Sequence, residues 1–124
     1  MTGYGRASLT AVKACRRNPA CSPVDAWEAA VEKEFASASS RDKPCPRGAF
    51  LGLCEAGLVS SIPAKSYTAS VLNKSYATAA VTILRKNPGL AENRLALWRR
   101  ISPKQHNQQM DVVVTLWRAG FIVG

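Results

Sequence analysis

The sequence predicts a mainly α-helical protein of about six helices, and three observations carry this prediction. Apolar residues recur at helical spacing along most of the chain, prolines and glycines divide it into short segments, and frequent helix-capping residues precede several of those segments. With 124 residues, of which 47% are hydrophobic, the chain is long enough to bury one core. We therefore expect a single domain over residues 1–124.

Three helices are predicted in the N-terminal half of the chain. The first covers about residues 4–17 and ends before Pro19, because the residue that precedes a proline is disfavoured in the α region. The second begins after Ser22, a good capping residue, and a polar linker follows it. The third is introduced by Pro44 and ends at Gly57, a residue that closes helices in the left-handed conformation.

The C-terminal half is predicted to hold three more helices. The fourth begins after Asn73, a good cap, and stops at the Asn-Pro-Gly sequence 87–89. The fifth covers about residues 91–101, and the last covers about residues 107–119 before Gly120 closes it.

Between the third and fourth helices the hydrophobic period changes. Residues 58–62 and 67–71 have the pattern of two short strands, and residues 63–66 have the composition of a turn. We therefore expect a short β-hairpin here, and the apolar tail 121–123 could form a further strand.

Two pieces of sequence occur twice in the same order. Residues 11–19 match residues 80–88, which lie 69 positions further along, and residues 49–59 resemble residues 112–122, which lie 63 positions further along. A tryptophan helix lies between the matched pieces in each half. Asn-Pro and Ala-Gly are common helix ends that also recur by chance, but three features in one order favour a duplication.

We interpret the repeat as two similar three-helix units within one domain. The units cover about residues 4–59 and 73–123, and the segment 58–71 is inserted between them.

The chain carries 17 Lys and Arg against 8 Asp and Glu, a formal charge of +9. No acidic residue occurs between Ala56 and Ala91, whereas residues 25–34 hold four carboxylates and one lysine. A basic stretch with hydroxyl side chains and with Tyr67 and Tyr76 suits a phosphate-binding surface, since cations neutralise phosphates and aromatic rings stack on bases. The alternative is a solvated cationic face that keeps the protein in solution.

The segment Phe-Leu-Gly-Leu-Cys-Glu-Ala-Gly-Leu-Val, residues 50–59, resembles the end of the third helix in winged helix-turn-helix proteins. The predicted order of three helices, a hairpin and another helix is similar to that fold over about residues 4–87. The resemblance implies that Arg47 reaches the major groove of DNA and that Lys65 lies at the tip of the wing. The segment Cys-Pro-Arg-Gly-Ala-Phe-Leu-Gly-Leu, residues 45–53, also resembles small bacterial proteins of families without an assigned function.

These observations lead to two hypotheses of function. The first is a nucleic-acid-binding protein, a small regulator for example, that binds DNA rather than RNA through a basic surface. Its candidate residues are Arg47, Lys65, Lys74, Arg85 and Lys86, together with Arg16 and Arg17, the repeat counterparts of Arg85 and Lys86. The second is a protein-interaction module whose basic face docks an acidic partner, with the acidic helix at 25–34 setting the orientation or pairing with a second copy. The oligomeric state stays open.

Catalysis, metal binding and cofactor binding find little support. The four cysteines are spaced C-x5-C and C-x8-C, whereas zinc sites need closer pairs, and Cys15 and Cys54 fit small buried hydrophobes. The one histidine, His106, suits a turn or cap before the last helix, and no glycine-rich phosphate loop occurs. We therefore expect no metal, no cofactor and no catalytic residue.

The sequence also predicts where the protein resides. No stretch approaches 18 apolar residues, so no membrane span is expected. The first residues lack the apolar core and cleavage site of a secretory signal, which predicts a cytoplasmic protein with reduced thiols.

Overall fold

Helices form nearly all of the regular structure in the computed structural model, which describes residues 2–124. The α-helices are α1 (Gly3–Arg17), α2 (Pro23–Glu34), α3 (Ala38–Arg41), α4 (Pro44–Glu55), α5 (Val71–Lys86), α6 (Arg94–Arg99) and α7 (Gln109–Arg118), and a 3-10 helix covers Pro88–Glu92. The helix α3 is a single turn, so six longer α-helices correspond in order to the six predicted ones. The prediction of a mainly helical protein is confirmed.

Local capping explains why the helices begin where they do. The Ser22 side chain accepts a hydrogen bond from the backbone N–H of Asp25 at 3.1 Å, as the sequence indicates for α2. Thr2 and Asn93 cap α1 and α6 in the same way. Because Asn93 adopts an extended conformation, it divides the predicted fifth helix into the 3-10 helix and α6.

The ends of α4 and α7 have the same geometry. Gly57 and Gly120 follow them with φ of +75° and +79°, the left-handed region that only glycine adopts without strain. The N–H of Leu58 returns to the carbonyl of Leu53 and the N–H of Phe121 returns to that of Leu116, both at 3.0 Å.

The predicted β-hairpin at residues 58–71 is wrong, because the described residues contain no strand there. Val59 forms an isolated antiparallel bridge with Ile122, so the first predicted strand pairs with the C-terminal tail instead of with residues 67–71. The backbone N–H groups of Tyr67 and Thr68 donate to the Glu55 carboxylate, at 2.8 and 3.2 Å.

Lys65 therefore lies in an irregular exposed segment and not at a wing tip. The last residue of the predicted second strand, Val71, is the first residue of α5. That helix begins after Ser70, three residues before the predicted cap Asn73.

We expect the Glu55 carboxylate to make stability depend on acid pH. Its hydrogen bond with Lys74 (2.7 Å), followed by those from Tyr67 and Thr68, lowers the pKa of Glu55 from 4.5 to about 2. A lowered pKa contributes stability that is fully present above pH 4.5 and is lost as the pH falls towards 2. The Glu55→Gln variant should therefore be less stable than the wild type at pH 7, and urea unfolding should show that difference shrinking below pH 4.5. A difference that stays constant across this range would contradict the role of the charge.

Equivalent segments of the two sequence units pair with each other around the Val59–Ile122 bridge. These two residues occupy the same position in the repeat. The flanking backbone hydrogen bonds are also equivalent, and they are Ser60 N to Phe121 O at 2.8 Å and Val123 N to Leu58 O at 2.9 Å. Such a contact is what a local two-fold axis through an antiparallel pair produces.

The packing of the helices follows the same two-fold relation between the units. In α1 a Cβ on Gly5 would meet the Thr115 side chain of α7, and in α4 a Cβ on Gly52 would meet the Lys74 backbone of α5. Gly5 and Lys74 are repeat counterparts, and so are Gly52 and Thr115. Each unit therefore packs its first helix on the last helix of the other unit. These contacts are those expected of duplicated units, and the duplication itself stays a prediction.

The core is one cluster of buried side chains to which every helix except α3 contributes. Trp27 of α2 stacks on Phe50 of α4 with ring centroids 5.1 Å apart, and Tyr76 of α5 contacts Trp98 of α6 edge-on at 4.9 Å. Within residues 2–124, none of the helices is long and apolar enough to cross a membrane.

Candidate nucleic-acid interface

The C-terminal ends of α1 and α5 meet the C-terminal tail of the chain. The Arg16 guanidinium lies 5.2 Å from the centre of the Phe121 ring, and Arg85 Nη2 donates a 2.7 Å hydrogen bond to the carbonyl of Val123. Residues two apart in an extended chain are separated by only about 7 Å. The ends of the two helices, each with two consecutive cations, therefore lie near the same short segment.

Lys65 lies across a small cavity from Cys15, which belongs to the last turn of α1. It lines a cavity of about 160 Å³ together with Cys15, the residue before Arg16, and with Cys21 and Tyr67. We call the resulting set the basic surface, and its members are Arg16, Arg17, Lys65, Arg85 and Lys86. All five residues are exposed.

The cations of the basic surface have no carboxylate partner among the residues that the structure describes. The five ion pairs found there involve Arg6, Arg47, Lys74, Arg94 and Arg118 instead. Cations in the last turn also complement the helix dipole, which accounts for part of their placement at the ends of α1 and α5. Their positive charge nevertheless stays available to an anionic ligand.

Arg47 and Lys74, the other two candidate residues, lie elsewhere and are paired. Arg47 Nη2 lies 3.6 Å from Glu28 Oε1, and Lys74 Nζ lies 2.7 Å from Glu55 Oε2. A helix rises about 1.5 Å per residue, which places Arg47 about 12 Å before the end of α4 and Lys74 about 16 Å from Arg85 along α5. The structure therefore does not bring these two side chains into the basic surface.

Sequence reasoning missed the contribution of the tail. Its apolar pattern indicates only strand residues, yet Phe121 carries the Arg16 guanidinium on its ring and Val123 anchors Arg85 through its carbonyl. The repeat indicates which segment the tail contacts, because it aligns residues 121–123 with residues 58–60 and these two segments form backbone hydrogen bonds with each other.

His106, Cys15 and Cys54 occupy the positions that the sequence predicts, a helix cap and two buried sites. His106 Nε2 accepts a 3.0 Å hydrogen bond from the backbone N–H of Met110, so it caps the first turn of α7 as predicted. Burial lowers the pKa of His106, which favours the neutral ring that this bond needs. Burial raises the pKa of the Cys15 thiol to about 11 and raises that of Cys54 as well. Within residues 2–124 no three His, Cys, Asp or Glu side chains are grouped to hold a metal ion.

Fold and surface together define a small, mainly helical protein in which Arg16 of α1 and Arg85 of α5 both contact the C-terminal tail. The chain belongs to the family of unknown function DUF6979, whose family model matches residues 1–123. This agrees with the expected resemblance to a family without an assigned function. No curated protein and no solved structure matches the chain.

Proposed function

We propose that the protein binds double-stranded nucleic acid, DNA in preference to RNA, through the basic surface. One observation carries the proposal: Arg16 and Arg85, near the ends of α1 and α5, both contact the short tail 121–123, and no cation of the basic surface has a carboxylate partner within residues 2–124. Cations that contact phosphates release condensed counterions, and this release supplies most of the affinity of binding that is independent of sequence.

The arrangement of the cations favours a duplex. Arg16 and Arg17 are the repeat counterparts of Arg85 and Lys86, and the two pairs flank the antiparallel contact between residues 58–60 and 121–123. The two strands of a duplex are also related by two-fold axes, and proteins with two-fold symmetry use this match. Each pair of cations would then contact one strand.

The aromatic side chains do not favour a single strand. Tyr76 packs edge-on against the Trp98 ring, and the Tyr67 hydroxyl donates a 2.6 Å hydrogen bond to the carbonyl of Pro63. Single-stranded RNA is bound mainly by bases that stack on open aromatic platforms. Neither tyrosine is fully exposed as such a platform.

Titration of the protein with labelled duplex DNA, duplex RNA and single-stranded DNA at about 50 mM salt tests the proposal. We expect the DNA duplex to bind most tightly, with a slope of log K against log salt concentration of about −4, because four or five cations each contribute about −0.9. A second duplex of unrelated sequence should bind equally well, since phosphate contacts carry no sequence information. The absence of binding to every nucleic acid at low salt would refute the proposal.

The second candidate function is docking of an acidic protein at the same surface. Val123 is 39% exposed and adjoins the basic surface, and an apolar side chain among charges suits a protein partner. The acidic helix α2 is less available for orientation, since Glu28 and Glu34 already pair with Arg47 and Arg6. A pull-down with and without nuclease separates the two functions, because only a protein partner stays bound after nuclease treatment.

A further inference from the structure

Two of the four cysteines line the same small cavity. Cys15 belongs to the last turn of α1, and Cys21 follows the turn of the chain after this helix. Both line the cavity of about 160 Å³ that Lys65 and Tyr67 also line. The two cysteines are free thiols in the structure, and the proposed function makes no use of them.

The thiols of Cys15 and Cys21 are close neighbours. Cys15 Sγ donates a hydrogen bond of 3.7 Å to the backbone carbonyl of Cys21, and only a few covalent bonds separate that carbonyl from Cys21 Sγ. The backbone turns back at this point, because the N–H of Cys21 donates to the carbonyl of Asn18 at 2.9 Å. Burial, followed by the charge of Cys21, raises the pKa of Cys15 to about 11, so each thiol acts on the other.

The two thiols differ in their access to solvent. Cys15 is 4% exposed, whereas Cys21 is partly exposed. In thiol–disulfide exchange a thiolate attacks a disulfide sulfur, and access decides which thiolate attacks first. Cys21 is therefore the thiol that meets a dissolved disulfide, and Cys15 is the thiol that meets a sulfur already attached to the protein at Cys21.

The surroundings of the pair are basic. Arg16 and Arg17 follow Cys15 directly, and Lys65 lines the cavity. Within residues 2–124 these three cations have no carboxylate partner. A cluster of one charge raises the local concentration of reagents of the opposite charge. Glutathione disulfide, which carries a net negative charge, is an oxidant that such surroundings attract.

We propose that Cys15 and Cys21 form a reversible disulfide by exchange with glutathione disulfide. The Cys21 thiolate first attacks one sulfur of glutathione disulfide, so that a bond between Cys21 Sγ and glutathione forms and one glutathione thiolate leaves. The Cys15 thiolate then attacks Cys21 Sγ, so that the bond within the protein forms and the second glutathione thiolate leaves.

Atoms and electrons balance in this exchange. The two protein thiols are oxidised to one disulfide, and one glutathione disulfide is reduced to two glutathione molecules, which take up the two thiol protons. The high pKa of Cys15 slows the second step, and the proximity of the two sulfur atoms offsets this effect. Disulfides of reducing compartments are mostly transient and redox-sensing, which fits a bridge that glutathione reverses.

The disulfide closes a short loop that contains Arg16 and Arg17, two cations of the basic surface. A redox-sensitive bridge is thus placed beside the residues that we propose to contact nucleic acid. The exchange itself requires no nucleic acid, so its test and that of the proposed function can fail independently.

Peptide mapping of the full chain after incubation with excess glutathione disulfide tests this proposal. Free thiols are alkylated in denaturant, and trypsin then separates the two cysteines by cleaving after Arg16 and Arg17. We expect the peptide 14–16 to be linked to the peptide 18–33 by a disulfide, and we expect dithiothreitol to release the two peptides.

Two results of the mapping would overturn the proposal. The first is the recovery of Cys15 as an alkylated thiol, which would show that no bridge forms. The second is a bridge from Cys15 to Cys54, which is buried and whose thiol also acts on the pKa of Cys15's neighbour Tyr67.

Variants separate the two steps of the exchange. Cys15→Ala keeps a small apolar side chain in the buried position, and it should stop the reaction with glutathione attached to Cys21. Cys21→Ser should leave Cys15 unmodified. Cys45→Ser is the matched control, because Cys45 is also partly exposed but its Sγ contacts Asn107 Nδ2 at 3.4 Å, and this variant should form the bridge as the wild type does. Absence of glutathione from Cys21 in Cys15→Ala, or loss of the bridge in Cys45→Ser, would overturn the assignment of the two thiols.

Discussion

Replacing Arg16, Arg17, Arg85 and Lys86 with glutamine is expected to weaken binding to duplex DNA at least about a hundredfold at low salt. Glutamine keeps much of the length of each side chain and removes its positive charge. These four residues are exposed and form no ion pair within residues 2–124, so no carboxylate is left unpaired by their replacement. Fluorescence anisotropy with a labelled duplex, at several salt concentrations, measures the effect.

The salt dependence gives the sharper result. Each lost phosphate contact should reduce the magnitude of the slope by about 0.9, so the slope of the fourfold variant should approach zero. Single replacement of Lys65 or Lys86 should weaken binding to all sequences alike and reduce the slope by about one contact.

A matched variant controls for net charge. Lys33, Arg99, Arg100 and Lys104 are four exposed cations on other parts of the molecule, and their replacement with glutamine changes the net charge by the same amount. We expect this variant to keep most of the affinity. Equal losses in the two variants would mean that overall charge, and not the basic surface, attracts the nucleic acid.

Replacing Gly52 with leucine is expected to cause the largest loss of stability. A Cβ at this position would lie 2.6 Å from the Cα of Lys74, so a side chain would collide with the backbone of α5 and not with a movable side chain. Cores packed at crystal density cannot absorb such an overlap without moving a helix. We expect a loss of about 3 kcal/mol or more in the free energy of unfolding, and a decrease of roughly 10 °C in Tm.

Gly89→Ala is the matched control for this prediction. A Cβ there would meet only the Asn87 side chain at 3.5 Å, an ordinary van der Waals contact, so stability should change by less than about 0.5 kcal/mol. Urea unfolding of both variants compares them directly. A Gly52→Leu protein as stable as Gly89→Ala would contradict the close approach of α4 and α5.

The helices could be predicted from the sequence because their limits are set by neighbouring residues. Ser22 caps α2 through a residue three positions away, and Gly57 ends α4 by its own conformation. The hairpin was predicted wrongly because the conformation of residues 58–71 depends on contacts with residues that are distant in the sequence. The Glu55 carboxylate accepts hydrogen bonds from the N–H groups of Tyr67 and Thr68. The C-terminal tail, through Ile122, forms the β-bridge with Val59.

The distinction between features set by neighbouring residues and features set by distant residues also applies to the candidate site. The repeat identified Arg16 and Arg17 as counterparts of Arg85 and Lys86, and these residues do lie at equivalent helix ends. The pairing of Arg47 with Glu28 could not be predicted, because it requires the packing of α2 against α4.

The exchange of helix contacts between the two halves bears on how such a chain could arise. A half consisting of residues 4–59 alone would leave the packing face of Gly5 and that of Gly52 without their partners in α7 and α5. Two identical copies of a half could supply both partners to each other across the axis that now passes between Val59 and Ile122. If the two halves arose by duplication, a symmetric homodimer of half-length chains could have made between its subunits the helix contacts that the single chain makes internally.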